Sequence, residues 1–402
     1  MTTPDATLLT RSTYSDRACA PEETLARIAP LLPRFGITRL ARVTGLDCIG
    51  IPVWNAIVPN ARSIVVNQGK GLTDIDAKVS AAMEALERTI AGNPALTTRL
   101  CSGLDLTADG HAWHPLNELV AAGAADIEPD EAISWVAGTS LEDGKTIFVP
   151  KDAILLDRTI GNCRFWQSSD GLASGNTIDE ARLHALLERI ERDAFALWQM
   201  TLPERIEAIA PESFADPPIG ALCAKIAAAG LALRLFEVTS DIGIPCIAAL
   251  LGPGDVTAAR HIRYVDVTHG CGAHPNPVRA AIRAITEAAQ SRLTFISGAR
   301  DDILPEVFER PLPPGTRALF AASVREVVVE RPDLPDGAAA LLAGVVGKLS
   351  HTSLGPAIAV ELHEPGLAIA VSKVFVPALE NPEGDRKHSF GPRALSRSME
   401  VL

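Results

Sequence analysis

The sequence predicts an α/β protein, on two observations. Short apolar runs of strand length are separated by long segments of helical periodicity, and one helical segment recurs three times, each copy preceded by a glycine-bearing stretch. The architecture expected is a set of mixed β-sheets packed with helices, internally repeated as strand, Gly turn and helix.

In chain order, Ile64 to Val66, Ile147 to Val149, Ala232 to Phe236, Tyr264 to Val267, Ala357 to Leu362 and Val374 to Val376 read as strands. The Pro- and Gly-rich passages at 211–218, 305–314 and 332–337 read as loops or lobe connections, none long enough for a flexible linker. At 402 residues the chain exceeds the usual single core, which points to one large composite domain or two to three lobes.

The repeat is the most informative feature. SAAMEALER (Ser80 to Arg88) aligns without gaps to HALLERIER (His184 to Arg192), both fitting x-Ala-x-x-Glu-x-x-Glu-Arg. RAITEAAQS (Arg283 to Ser291) keeps Ala284 and Glu287 and puts Gln290 at the second acid. GKG (Gly69 to Gly71), GLASGN (Gly171 to Asn176) and GCG (Gly270 to Gly272) precede the three copies. The spacing between copies differs and is far larger than the roughly 20 to 50 residues of an array, so no solenoid is implied.

At about 100° per residue, Ile75, Val79, Met83, Leu86 and Ile90 form one apolar stripe. Leu183, Leu187, Ile190, Ala194 and Leu197 form the second, and Val278, Ile282, Ile285, Ala289 and Leu293 the third. All three are expected to face the core. Glu87, Glu191 and Gln290 then lie about 80° from the stripe and Glu84, Glu188 and Glu287 about 140° away, always toward the same edge. Ser80, His184 and Arg283 fall between them.

Solvated glutamates scatter, whereas a repeated offset points several carboxylates into one cleft. Gathering them is costly unless cations neutralise the charge. Magnesium carrying a nucleotide triphosphate does so, and Gly-rich turns at helix N-termini offer backbone N–H groups to phosphate. Lys70, Asn176 and Arg283 suit phosphate or ribose. Plainer readings exist for single residues: Thr177 and Glu180 fit a capping box, and Glu84 with Arg88 and Glu188 with Arg192 fit ordinary i,i+4 pairs.

Other classes lack their signatures. Apolar residues at 47% and charged residues at 21% argue for a folded globular chain. The net charge of −12, spread along the chain, disfavours nucleic acid and anionic membrane. Neither a signal pattern nor a bilayer-length apolar run is evident, so a cytoplasmic location is expected. Seven scattered cysteines, none in a CxxC pair, signal neither disulfides nor a zinc knuckle; Cys271 is the one candidate nucleophile, with no base placed beside it. His269, His274 and His388 read as structural or surface residues. P-loop, zincin, serine-hydrolase and Rossmann motifs are missing.

These motifs resemble the YcaO family of ATP-dependent peptide-modifying enzymes over most of the chain. The residues that carry the resemblance are GITRLARVTGLDCIGIPVWNAIVPNARS with NQGKG, SAAMEALER, SGNTIDEARLHALLERIERDAFALW and RAITEAAQSRLTFISGARDD. The N-terminal block is similar to the branch that works with a TfuA-like partner. The resemblance implies Mg-ATP bound directly between the repeated helices, with metal on Glu84, Glu87, Glu188 and Glu191. Ser80, Asn176, Glu180, Arg192, Arg283, Glu287, Lys70 and Gln290 complete the pocket, and Arg17 and Thr24 match a basic and hydroxyl pair that closes over the nucleotide. Glu84, Glu191 and Arg283 are the catalytic set it implies.

In the family, phosphorylation of a backbone amide oxygen lets that oxygen depart as phosphate when a nucleophile attacks. Sulfide gives a thioamide, and a neighbouring Cys, Ser or Thr side chain gives an azoline ring. Ring-forming members commonly end in a Pro-rich tail such as PxPxP, whereas this sequence ends GPRALSRSMEVL, which tilts the expectation toward thioamidation. A peptide or protein substrate, a sulfur donor and a TfuA-like partner are expected, and a homodimer is compatible with the reading. The organisation expected is a segment 1–40 over the nucleotide, a catalytic region 41–385 and a tail 386–402. Rival readings are a cyclodehydratase, a non-catalytic peptide scaffold and an amide ligase of the glutamine-synthetase type.

Overall fold

The computed structural model describes residues 14–401 except 383 and 389, so residues 1–13 of the expected N-terminal segment lie outside the described residues. After helix α1 (Pro21–Ile28), strands β1 (Arg39–Arg42), β2 (Val53–Ile57) and β3 (Val66–Lys70) form an antiparallel sheet in that order. Helix α2 (Asp74–Gly92) follows directly. A second sheet takes β4 (Thr98–Cys101), β5 (Ala112–Trp113), β6 (Ile133–Ser140), β7 (Thr146–Pro150) and β8 (Leu172–Gly175), after which comes α3 (Ile178–Gln199).

The third sheet comprises β9 (Ala208–Ile209), β10 (Leu231–Glu237), β11 (Cys246–Pro253), β12 (Thr268–Ala273) and β13 (Val324–Arg325), in the order β12-β11-β10-β9-β13. Helix α4 (Pro217–Ala228) lies between β9 and β10, and α5 (Pro277–Ser297) follows β12. Helix α6 (Ala338–His351) precedes β14 (Ile358–Glu361) and β15 (Ala370–Phe375), which return to the second sheet, and α7 (Pro392–Val401) ends the description. The second sheet runs β5-β7-β6-β14-β15-β8, with β4 also on β6. The α/β reading with mixed sheets therefore holds; among the described residues only β5 with β7 and β9 with β13 pair in parallel.

Each repeated unit ends one sheet: β3, β8 and β12 are edge strands, and each leads straight into its helix. The helices start where the side chains dictate. Thr73 and Asp76 form a reciprocal capping box on α2. Thr177 caps α3 through the Glu180 N–H, and Asn276 with Pro277 at the first helical position opens α5.

The glycines sit elsewhere than expected. Gly69, Gly175, Gly270 and Gly272 lie inside the strands rather than in turns. A Cβ on Gly69 would run into the backbone of Ala77 and Ala81, and one on Gly272 into Ala280 and Ala284, the same positions of the repeat. Glycine lets helix and strand backbones touch. The helix face against each strand is accordingly rich in buried alanine, including Ala77, Ala81 and Ala85 of α2 and Ala280, Ala281 and Ala284 of α5.

Two strand assignments also shift. Ile64 is buried but precedes β3, which begins at Val66, and Tyr264–Asp266 is a 3-10 turn, because Asp266 folds back to accept from the Arg263 N–H at 2.9 Å. The Pro-rich passages carry short helical turns at Pro211–Phe214 and Pro305–Phe308. The β10–β11 layer is covered on both faces: Cys246, Ala248 and Leu250 join a core with α3 and α6, and Ile247, Ala249 and Leu251 one with α4 and α5. Among the described residues no helix is long and apolar enough to cross a membrane.

Candidate active site

The three units close in a ring. Besides its own strand, α2 packs on β8, α3 on β12 and α5 on β3. Hydrogen bonds at the equivalent helix position repeat the pattern. Ser174 Oγ of β8 donates to Glu87 at 3.1 Å, the Ala273 N–H of β12 donates to Glu191 at 3.1 Å, and Gln290 Nε2 donates to the Gln68 carbonyl of β3 at 3.5 Å. The third unit needs an amide there because its partner is a carbonyl oxygen, which only a donor satisfies.

Where the helices converge lies a cleft of about 1790 Å³. Its wall includes Arg17, Thr24, Lys70, Ser80, Glu84, Glu87 and Asn176 from the first two units and the N-terminal segment, together with Glu188, Glu191, Arg192, Arg283, Glu287 and Gln290. Of the residues predicted from sequence, Glu180 alone is not part of that wall. It is fully buried and accepts from the Asn176 N–H at 2.9 Å, Asn176 Nδ2 at 3.2 Å, Arg17 Nη1 at 3.4 Å and the Ala18 N–H. Glu180 thus sits behind Arg17 and Asn176 and aims them. The reciprocal half of a capping box is not formed, since its carboxylate bonds Asn176 rather than Thr177.

The charges separate into two groups. Burial first, then Glu84 and Glu188 against Arg88 and the Ser174 hydroxyl, pushes the Glu87 carboxyl well above its usual range. Glu84 accepts from Arg88 at 3.0 Å, and Glu188 lies 3.6 Å from Arg192. Glu191 is also raised, by burial and then by Glu287, against the pull of Arg283, Arg192 and Lys70. Burial opposes ionisation of Glu287 too, but Lys70, hydrogen-bonded at 2.8 Å, and Arg192 hold its carboxyl below the usual range.

Opposite these acids stand Arg17, Arg283 and His184. Arg283 Nη1 lies 3.3 Å from His184 Nδ1. A guanidinium can only donate, so Nδ1 accepts and the proton sits on Nε2, a buried donor without a protein partner. Burial, then Arg17 and Arg283, keeps this imidazole neutral by lowering its pKa well below 6.5.

An orphaned N–H on an imidazole beside Arg283, in the wall of a cleft that also gathers hard carboxylate oxygens that repel one another, fits a magnesium-bound polyphosphate. Among the described residues no three His, Cys, Asp or Glu side chains already stand at metal-ligating positions; Glu84 and Glu188 are held by their basic partners. At the helix N-termini Thr73, Thr177 and Asn276 each accept from one backbone N–H, of Asp76, Glu180 and Val278.

Other residues refine the expectations. The N-terminal segment is anchored by Asp16 to His274 at 2.8 Å and to Arg279, and by Thr24 to Asn176 at 3.0 Å. His274 is buried, its pKa lowered to about 3 by burial and Arg283, and it too lines the cleft. His269, read as structural or surface, is exposed and opens onto the cleft, where its ring stacks on Phe195. Cys271 is buried and its thiol is pushed up by burial and Glu191, which leaves it no thiolate to attack with. Val79, Met83 and Ile282, expected on core stripes, line the cleft. His184 carried a sequence signal, the repeat position of Ser80 and Arg283; His269 and Phe195 carried none.

A family model described as YcaO cyclodehydratase, ATP- and Mg2+-binding, matches residues 68–380. An uncharacterized Rhizobium leguminosarum bv. trifolii protein named for the tfuA 3' region is 40% identical over 96% of this chain and 93% of its own length. An uncharacterized Methanothermobacter thermautotrophicus protein is 34% identical over 73% of this chain and 75% of its own. Among solved structures, YcaO from Methanopyrus kandleri bound with AMPPCP and Mg2+ has a TM-score of 0.70 at 23% identity, covering 91% of this chain and 92% of that one. A heterocyclase in complex with substrate and cofactor has a TM-score of 0.76 at 21% identity over 92% of this chain, which spans 54% of that longer protein.

Proposed function

Since this chain belongs to the YcaO family, whose cofactors are ATP and Mg2+, we propose that it phosphorylates a backbone amide oxygen of a ribosomally made peptide and replaces that oxygen with sulfur. The observation that carries the reading is the ring of three equivalent helices that sets mutually repelling carboxylates against Arg17, Arg283 and the orphaned His184 Nε2. We assign Glu84, Glu87, Glu188 and Glu191 to the metal, Arg17, Lys70 and Arg283 to the phosphates, and Thr24, Ser80, Asn176, Arg192, Glu287 and Gln290 to the rest of the nucleotide. Glu180 holds two of these groups in place from behind. By this assignment residues 1–40 close the nucleotide site, 41–385 form the catalytic region and 386–402 the tail.

Bound Mg-ATP supplies an electrophilic phosphoryl group. The residues of the cleft align the amide oxygen with it and stabilise the charge that develops on both sides. Hydrosulfide then adds to the activated carbon and the oxygen leaves with the phosphoryl group. Amide, ATP and hydrosulfide thus become thioamide, ADP and hydrogen phosphate. A TfuA-like partner is supported by the tfuA-region name of the Rhizobium relative. Residues 392–401 form a helix pinned by Arg393 to Asp193 at 2.9 Å and to Asp241. A cytoplasmic location goes with the use of ATP.

Ring closure is the second reading, favoured by the cyclodehydratase description of the family model. Mass spectrometry of a candidate neighbouring peptide, incubated with this protein, its partner, Mg-ATP and sulfide, separates the two. Exchange of oxygen for sulfur supports the proposal, and loss of water supports the ring. Glu191→Gln is expected to abolish either modification while the unfolding transition stays cooperative; undiminished turnover sinks the site assignment.

A further inference from the structure

The cleft is larger than one nucleotide needs, since small-molecule sites enclose about 300–1,000 Å³ and this one encloses about 1790 Å³. It reaches the C-terminal half of α3, where Phe195, Trp198 and Gln199 line it. Along that helix the cleft-lining stripe changes character: Glu188, Glu191 and Arg192 are followed by Phe195 and Trp198. Four residues span about 6 Å of helix, so the first aromatic lies one turn beyond the acids.

The change breaks the threefold repeat. With the same gapless register, the position of Phe195 is Ala91 in α2 and Thr294 in α5. Equivalent positions build the charged end, and an exceptional one builds the other. The aromatics are held rigidly: Phe195 stacks on His269 at 5.7 Å and 3° and on Trp198 at 5.6 Å and 27°, and Trp198 rests on the buried Phe236 at 5.4 Å. Leu250 and Ala248, on one face of β11, and Leu312 continue this apolar lining. Desolvation in the cleft lowers the His269 pKa, with Glu287 opposing and Arg192 assisting.

We propose that this aromatic chamber seats the side chain next to the reacting amide and selects peptides with an aromatic or large aliphatic residue there. The assignment rests on the peptide-amide reading above. One residue of extended chain covers about 3.3–3.6 Å, so two residues bridge the turn of helix between the acids and Phe195.

The test uses the full chain and the blocked tripeptides acetyl-Gly-Xaa-Gly-amide, with Xaa as Phe, Leu, Lys or Asp, titrated by saturation-transfer NMR. Titrations are run with and without Mg2+ and a non-hydrolysable ATP analogue. The Phe and Leu peptides are expected to bind at least tenfold tighter than the Lys and Asp peptides, and Phe195→Ser to flatten the order to within threefold. Should that variant not fold, Phe195→Ala, with the residue that α2 carries at this position, is expected to flatten the order likewise. Equal binding of all four, no binding, or an order that survives either folded variant overturns the chamber. Failure of the analogue to bind would instead overturn the ATP reading, while the nucleotide-free order still decides this one.

Discussion

Glu87 accepts one hydroxyl hydrogen bond, from Ser174, while Glu84 and Glu188 press charge upon it. Its carboxyl, pushed up by burial and these neighbours, must lose a proton before it grips a cation. Affinity for Mg-ATP is therefore expected to weaken as pH falls through that raised value, and Glu87→Gln to weaken it about tenfold or more, both measurable by calorimetry. For folding the sign is reversed. A raised acid contributes stability that is present in acid and lost as pH rises through the folded-state value. Without metal, Glu87→Gln should therefore melt above the wild type at pH 8 and the gap should close toward pH 5; a gap independent of pH would refute the account. The position of Glu87 on the helix wheel was legible because periodicity fixes angle. That Glu180 lies behind the wall and His269 within it was not, because periodicity carries no information about which neighbouring segment covers a side chain.

The glycine-bearing stretches were legible as features and misread in kind. Glycine in a sequence reports a missing side chain, which suits a turn and a crowded strand equally. LASG and THGCGA contain too few apolar residues to announce β8 and β12 as strands, and only the helix packed on each one makes it so. The consequence is measurable by denaturant unfolding. Gly69→Ala, driven into the backbone of α2, should cost about 1–3 kcal/mol and weaken nucleotide binding by shifting the helix that carries Glu84 and Glu87. Gly220→Ala, on exposed α4 with nothing near the new methyl, should gain about 0.5–1 kcal/mol. Equal effects at the two sites would refute the close-packing explanation. The cap of α3 was readable in Thr177, which acts within its own turn, while the equivalent cap of α2, Thr73 with Asp76, went unread.

The three sheets lay beyond the sequence. The second sheet joins β6 to β14, more than two hundred residues apart, and no local signal encodes such a pairing. The same long reach governs the C-terminal helix. Arg393 binds both oxygens of the fully buried Asp193, on the helix that carries Glu191. Arg393→Ala should destabilise the protein by about 3–5 kcal/mol, as expected when a buried charge loses its partner, and urea unfolding measures it. A change below ~1 kcal/mol would mean that solvent reaches Asp193. The ring of helices, each bonded to the strand of the next unit, also bears on how the protein is made. Unit one is complete at residue 92, unit two at 199 and unit three only at 297. A nascent chain therefore lacks one of the three helical walls of the cleft until α5 has been added, so the first two units alone cannot consume nucleotide.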